Sequence, residues 1–272
     1  MKSLNDRINE LARSLGKDPE KEAMFDYQQR REEFDRLANQ DIQKLQIETR
    51  QQRVQHIHGK SELNPKWTFH NLVEDAPDVV EAINIAKSFI AAHADPSWRN
   101  SSAHMMIFYG DYGRGKSHIA GAIAHQLIEQ YETTVLYRQL QTLLEMRFSS
   151  YDYQSSDNAP EKFREINRQL QEVDLLILDE VCVNQSMLKK NTQSWLGNLL
   201  RQRLVNNKNC IMITNHNLKE LESALGPYCF ESIKEYDTYK VRFQGPSRRK
   251  QVVPDQAEPS SSTSQYQPNQ IR

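Results

Sequence analysis

The sequence predicts an α/β protein, a parallel sheet flanked by helices, with a helical extension before it and a disordered tail after it. Three observations predict it. Short apolar runs alternate with segments of helical periodicity through the middle of the chain, and a glycine-rich stretch, GDYGRGKS, stands where one such run passes into a helix. Both ends turn polar. The chain has 272 residues, 38% of them hydrophobic, which is enough for one sizeable core with appendages.

In chain order, the first 60 residues carry thin apolar stripes, Leu4, Ile8, Leu11 and Leu15, then Phe34, Leu37, Ile42 and Leu45, at helical spacing. Such helices cannot build a core. They form either a solvated leader or an arm that lays its stripe on a partner. Asn64-Pro65 marks a hinge, because the residue before proline avoids helix, and the main domain is expected over 61–250. Within it Met105–Tyr109, Thr134–Tyr137, Asp174–Leu178 and Cys210–Thr214 read as buried parallel strands, with Tyr239–Phe243 as a possible fifth. Ser117–Gln130, Leu140–Phe148 and Thr192–Val205 read as helices. Residues 251–272, rich in Pro, Ser and Gln, have the composition of a disordered tail.

Composition narrows the function. With 35 Lys and Arg against 36 Asp and Glu there is no global attraction for nucleic acid, so any such contact must be local. Cys182, Cys210 and Cys229 are odd in number and lack metal spacing, and read as reduced, buried residues. No stretch approaches the ~18 apolar residues of a membrane helix, and the start has no apolar leader core, so a cytoplasmic location is expected. His56-x-His58 has no third ligand nearby and is not read as a metal site.

GDYGRGKS satisfies the pattern Gly110-x-x-x-x-Gly115-Lys116-Ser117 in a strand-to-helix setting. A chance match in a chain this long arises on the order of one time in a hundred, with glycine at ~7% of residues, so the stretch reads as a phosphate cradle. Its glycines let backbone N–H groups turn onto phosphates, Lys116 reaches the β and γ oxygens, and Ser117 offers a hydroxyl to Mg²⁺ at a helix N-terminus. The expected ATP-binding set is Gly110, Asp111, Tyr112, Gly113, Arg114, Gly115, Lys116, Ser117 and His118. A second signal is VDLLILDE: Asp179 ends an apolar run where a metal carboxylate is needed, and Glu180 is placed to orient or deprotonate water. That pair points to an ATPase with water as the nucleophile. Asn215, after the run Ile211–Thr214, could touch the γ-phosphate or cap the next helix.

For nucleic acid, MRFSSYDYQ sets aromatics beside Arg147, a stacking surface for bases unless the rings tuck onto the core. Lys189-Lys190 and Arg248-Arg249-Lys250 could bind phosphates, although such doublets are commonly solvated.

In this order WTFHNL, FYGDYGRGKSHIAGAIAHQL, VDLLILDE, IMITNHN, LGPYCFESI and FQGPSRR resemble the AAA+ ATPases of the DnaC/DnaI helicase-loader and IstB-like group, over about Glu48 to Arg249. The resemblance implies an ATP-controlled loader whose arm grips the replicative helicase and which places that helicase on single-stranded DNA, with possible self-assembly through the AAA+ domain. It also implies Asn215 as sensor I and Arg249 as the sensor II arginine, which joins Glu180 and Asn215 as a catalytic candidate. Ser117 and Asp179 are the implied metal ligands. The alternative is an IstB-like helper of transposition acting on duplex DNA. One departure stands out: where the group carries E-R-V-x-[DE]-R-[MI], this chain reads Pro227-Tyr228-Cys229-Phe230-Glu231-Ser232-Ile233, with Ser232 in place of the arginine finger. Lys234, Arg242 and Arg248 are candidates for a displaced finger, and turnover is expected to be slow.

Overall fold

A computed structural model describes residues 4–17, 19–152, 158–182 and 188–249. Helices α1 (Leu4–Ser14) and α2 (Pro19–His58) come first, followed by a short 3₁₀ turn (Phe69–Asn71), α3 (Pro77–His93) and α4 (Pro96–Ser101). The α/β core then runs β1 (His104–Gly110), α5 (Lys116–Tyr131), β2 (Val135–Gln139), α6 (Leu140–Ser149), α7 (Ala159–Glu172), β3 (Leu175–Asp179), α8 (Lys190–Val205) and β4 (Asn209–Ile213). It closes with α9 (Leu218–Leu225), α10 (Pro227–Lys234) and β5 (Asp237–Phe243). The tail expected to be disordered, 251–272, lies outside the described residues.

The sheet is parallel throughout, in the order β2-β3-β4-β1-β5. Its inner strands read as continuous apolar runs because both faces are covered. Leu176, Leu178, Cys210, Met212, Met105 and Ile107 belong to one packed cluster, and their alternates Leu175, Ile177, Ile211, Ile213, Met106 and Phe108 belong to the other. The fifth strand is longer than expected, and only Val241 and Phe243 of it are buried, as befits an edge. All three cysteines are free and buried.

The strand order decides where the chemistry can sit. In open parallel sheets ligands bind outside the carboxyl ends of the strands. Here β4 lies between β1 and β3, so residues just after these three strands converge although they are far apart in sequence.

Some helices were not among those expected. In α3 the residues Val79, Ile83, Ala86 and Ile90 are buried on one face, a helical pattern that the opening Pro77 supports at the first turn. The arm is more regular than its broken stripes suggest, since α2 is one helix of 40 residues, ~60 Å long at 1.5 Å per residue. Val54 and Ile57 near its end are buried, whereas Phe34, Leu37, Ile42 and Leu45 are 49% to 71% exposed. Arg50 donates to the carbonyl oxygens of Tyr131 and Glu132, and Arg53 pairs with Glu172 at 3.5 Å. Among the described residues no helix is long and apolar enough to cross a membrane.

Candidate nucleotide site

The glycine-rich loop connects β1 to α5, and its backbone is one that only glycine fits. Gly110 has φ +114° and Gly113 has φ +70°. A Cβ on Gly110 would lie 2.1 Å from the Phe243 carbonyl oxygen, and one on Gly113 would lie 2.1 Å from Ser247 Oγ. The loop is therefore pressed against the segment that follows β5. Asp111 N–H donates to Phe243 O at 3.0 Å, Gly245 N–H donates to Asp111 Oδ2 at 2.8 Å, and Arg248 N–H donates to Gly113 O at 3.0 Å.

Lys116 opens α5 and is buried, with Nζ donating to Gly110 O at 2.8 Å and Asp111 O at 2.6 Å. Burial, only partly offset by Asp179 and Asp111 and reinforced by Arg249, pulls its ammonium down to about 8. Neutral carbonyls cannot compensate a buried cation, so this ammonium is short of negative charge. That is the electrostatic requirement of a site for an anionic ligand.

Asp179 ends β3 and is buried. Its Oδ2 accepts from the Tyr137 hydroxyl and its Oδ1 accepts from Glu180 N–H at 2.7 Å. Glu180 is exposed and adopts φ +54°, a left-handed conformation uncommon for a non-glycine residue. The end of β4 is pinned on both sides: Thr214 N–H donates to Phe108 O at 2.9 Å and Thr214 Oγ1 donates to Val181 O at 2.9 Å. This places Asn215 between loop and carboxylate. The capping alternative for Asn215 is not realised, because Asn217 caps α9 in a reciprocal capping box with Glu220.

Gly113, Gly115, Lys116, Ser117, Asp179, Glu180 and Asn215 share a cavity of about 560 Å³, a size in the range of ligand pockets, with Trp67, Leu72, Val73, Tyr112, His118 and Arg249, whereas Gly110 and Asp111 are not part of its lining. His118 Nε2 sits 2.9 Å from Thr68 O. Two loop side chains point elsewhere. The Arg114 guanidinium forms a fork with Asp78 (2.6 and 3.2 Å) and donates to Pro246 O at 3.1 Å, which turns this side chain to the outer wall of the loop. The Asp78 carboxyl is pushed up by burial, but the Arg114 and Gln244 hydrogen bonds outweigh this and hold it below its usual range. The Asp111 carboxylate is likewise turned to Gly245.

Arg249 is exposed at the cavity mouth. Arg248 is tied to Asp75 and Val73 O of its own chain. Ser232 is fully buried in α10, its hydroxyl donating to Tyr228 O at 3.2 Å. Lys234 is exposed but paired with Glu231 at 2.6 Å, and Arg242 is exposed on β5. Sequence reasoning missed Tyr137. A tyrosine in a buried strand was the available signal, because its hydroxyl must find a partner.

The stacking segment splits. Arg147 is buried between Tyr151 and Trp195, 5.4 and 5.5 Å from the ring centres. Phe148 is 48% and Tyr151 62% exposed, with Lys189 6.0 Å from the Phe148 ring centre. These rings do not tuck onto the core. Tyr153 and Gln154, and Lys250 of the basic triplet, lie outside the described residues.

A family model described as the bacterial DnaA ATPase domain matches residues 63–225. The chain is 29% identical over 214 residues to the uncharacterized protein YdaV of Escherichia coli K12, covering 78% of this chain and 80% of that one. It is 22% identical to the replicative helicase loader DnaC of the same organism, covering 77% and 81%. Among solved structures, domain III of the Thermotoga maritima replication initiation protein DnaA superposes with a TM-score of 0.52 at 21% identity, covering 66% of this chain and 69% of that one. The resemblance thus reaches DnaA as well as the loaders. The cradle matches that breadth, and the chain belongs to the bacterial DnaA ATPase-domain family of AAA+ replication-initiation ATPases.

Proposed function

We propose that this chain is an ATP-dependent helicase loader of the DnaC/DnaI kind, which binds a replicative helicase hexamer through residues 1–60 and delivers it onto single-stranded DNA. The carrying observation is the union in one chain of a nucleotide cradle and a 40-residue helix with Phe34, Leu37, Ile42 and Leu45 exposed. An exposed apolar stripe on a long helix has the form of a groove-binding element. The likeness to the E. coli loader, which extends over most of that protein, supports this reading.

The roles follow from position. The loop N–H groups and Lys116 would hold the phosphates of ATP, and Ser117 with Asp179 would hold Mg²⁺, which would supply neutralising positive charge to the phosphates. Glu180, at the open side of the cavity, would orient and deprotonate water. Asn215 would hold the γ-phosphate or that water from β4, and Arg249 would reach the γ-phosphate from the carboxyl-terminal side. An arginine finger is worth roughly 10³ to 10⁵ in rate. With Ser232 buried and Arg248 engaged in its own chain, turnover by the isolated protein is slow and ATP acts first as a switch. Phe148 and Tyr151 would stack on bases beside Lys189.

The test is capture of a replicative helicase hexamer by the full chain and by a full-length Phe34→Asp, Leu37→Asp, Leu45→Asp variant, each with ATP. Loss of capture by a folded variant is expected, and equal retention would overturn the loader reading. Tight ATP-dependent binding to duplex DNA by both proteins would favour the transposition-helper alternative instead.

A further inference from the structure

Tyr137 is 1% exposed and sits in the edge strand β2, yet its hydroxyl reaches across the sheet end. It donates to Asp179 Oδ2. Asp179 lines the nucleotide cavity together with Ser117. One buried hydroxyl therefore holds a carboxylate expected to face the metal.

The ring is fixed from behind. Its centre is 5.5 Å from that of Trp67, and Trp67 in turn packs so closely on α5 that a Cβ on Gly121 would lie 2.6 Å from Trp67 Cβ. The backbone of Tyr137 is held by the segment leaving α2: Tyr137 N–H donates to Ser61 Oγ at 2.8 Å and Glu62 N–H donates to Tyr137 O at 2.9 Å. Glu62 continues along the strand, accepting from Gln139 N–H at 2.7 Å and pairing with Arg138 at 3.2 Å. The segment leaving α2 thus adds a short edge to β2 at the residue that touches Asp179.

We propose that Tyr137 is a positioning residue for the metal end of the nucleotide site, holding the Asp179 carboxylate through its hydroxyl while Ser61 and Glu62 anchor its strand to the segment leaving α2. This rests on the reading of Ser117 and Asp179 as the metal-facing pair. Groups that orient metal ligands from outside typically contribute 10- to 100-fold to metal affinity. A tyrosine that merely satisfied its hydroxyl in the core would affect stability and leave the metal dependence unchanged.

The experiment is a Mg²⁺ titration of the binding of a fluorescent, non-hydrolysable ATP analogue, with a matched measurement in EDTA, on the wild type, Tyr137→Phe and Asp179→Asn. For Tyr137→Phe, affinity in EDTA should be unchanged, while the Mg²⁺ concentration giving half of the metal-dependent gain should rise roughly tenfold. Asp179→Asn should lose the gain. If Asp179→Asn keeps it, the metal reading itself fails. If Asp179→Asn loses it and Tyr137→Phe keeps the wild-type midpoint, the role of Tyr137 is overturned. Should Tyr137→Phe not fold, Ser61→Ala takes its place, since it removes the acceptor of Tyr137 N–H and spares the hydroxyl. An upward shift of the midpoint is then expected, and an unmoved midpoint in folded Ser61→Ala overturns the proposal.

Discussion

Raising the pH should weaken nucleotide binding through Lys116. Burial holds this ammonium at about 8 against an ordinary 10.5. The interval corresponds to roughly 3.5 kcal/mol at about 1.4 kcal/mol per pH unit. Phosphate oxygens beside Nζ supply the missing negative charge and move the group back toward its ordinary value. Because binding raises this pKa, binding takes up a proton wherever the unbound lysine is neutral. Affinity is therefore full below about pH 8 and falls as the pH rises above it, by about tenfold between pH 7 and pH 9. The assay is titration with a fluorescent ATP analogue across that range, with calorimetry in two buffers of different ionisation heat to count the proton. Lys116→Arg, whose cation does not titrate here, should bind with a flat profile. Constant affinity from about pH 7 to pH 9 in the folded wild type would refute the reasoning.

Glu180→Gln should retain nucleotide binding and lose turnover, measured as phosphate release; turnover within about twofold of wild type would remove Glu180 from the chemistry. Asp78→Ala should destabilise the fold by about 3 to 5 kcal/mol in denaturant titration, because it strands the buried Arg114 cation, and Asp78→Ala with Arg114→Met should recover much of the loss. Asp78 is held below its usual pKa, so its contribution is present at neutral pH and is lost as the pH falls through that lowered value. Gly113→Ala should lower both melting temperature and nucleotide affinity, since the new methyl would meet Ser247 Oγ at 2.1 Å in a backbone with φ +70°. Phe148→Ala and Tyr151→Ala should each weaken single-stranded DNA binding by about 1 to 3 kcal/mol in fluorescence anisotropy, and unchanged binding by both would remove this patch from DNA recognition.

How far the site was legible depends on the range of the forces involved. A strand buried on both faces writes itself as an unbroken apolar run, so β1, β3 and β4 could be placed to within a residue or two at most ends. The exposed edge β5 could be marked only as a possible strand, because just two of its residues are buried. The phosphate cradle was legible because its requirement is local: glycines, a lysine and a hydroxyl in consecutive positions. Asn215 could not be separated from a helix cap by sequence. The neighbouring Asn217 competes for that role and wins it, with Glu220 three residues on to complete the box.

The sequence by itself determined the α/β class, the glycine-rich loop with the acidic pair Asp179-Glu180 and the helical character of the arm, since each depends on neighbours within a few residues; that an arginine is missing at 232 came only from the resemblance to a known group. Strand order was decided only by the tertiary structure, as were the contacts that come with it: Asn215 in one cavity with Lys116 and Asp179, Arg114 turned away to Asp78, Ser232 buried, Arg248 tied to its own chain, and the Tyr137 hydroxyl donating to Asp179. The physical reason is that the residues gathered at the carboxyl ends of the strands come from β1, β2, β3, β4 and the segment after β5, whose separation along the chain carries no local pattern. Packing of both sheet faces fixes which strands lie side by side, and only then does a hydroxyl or a guanidinium acquire its partner.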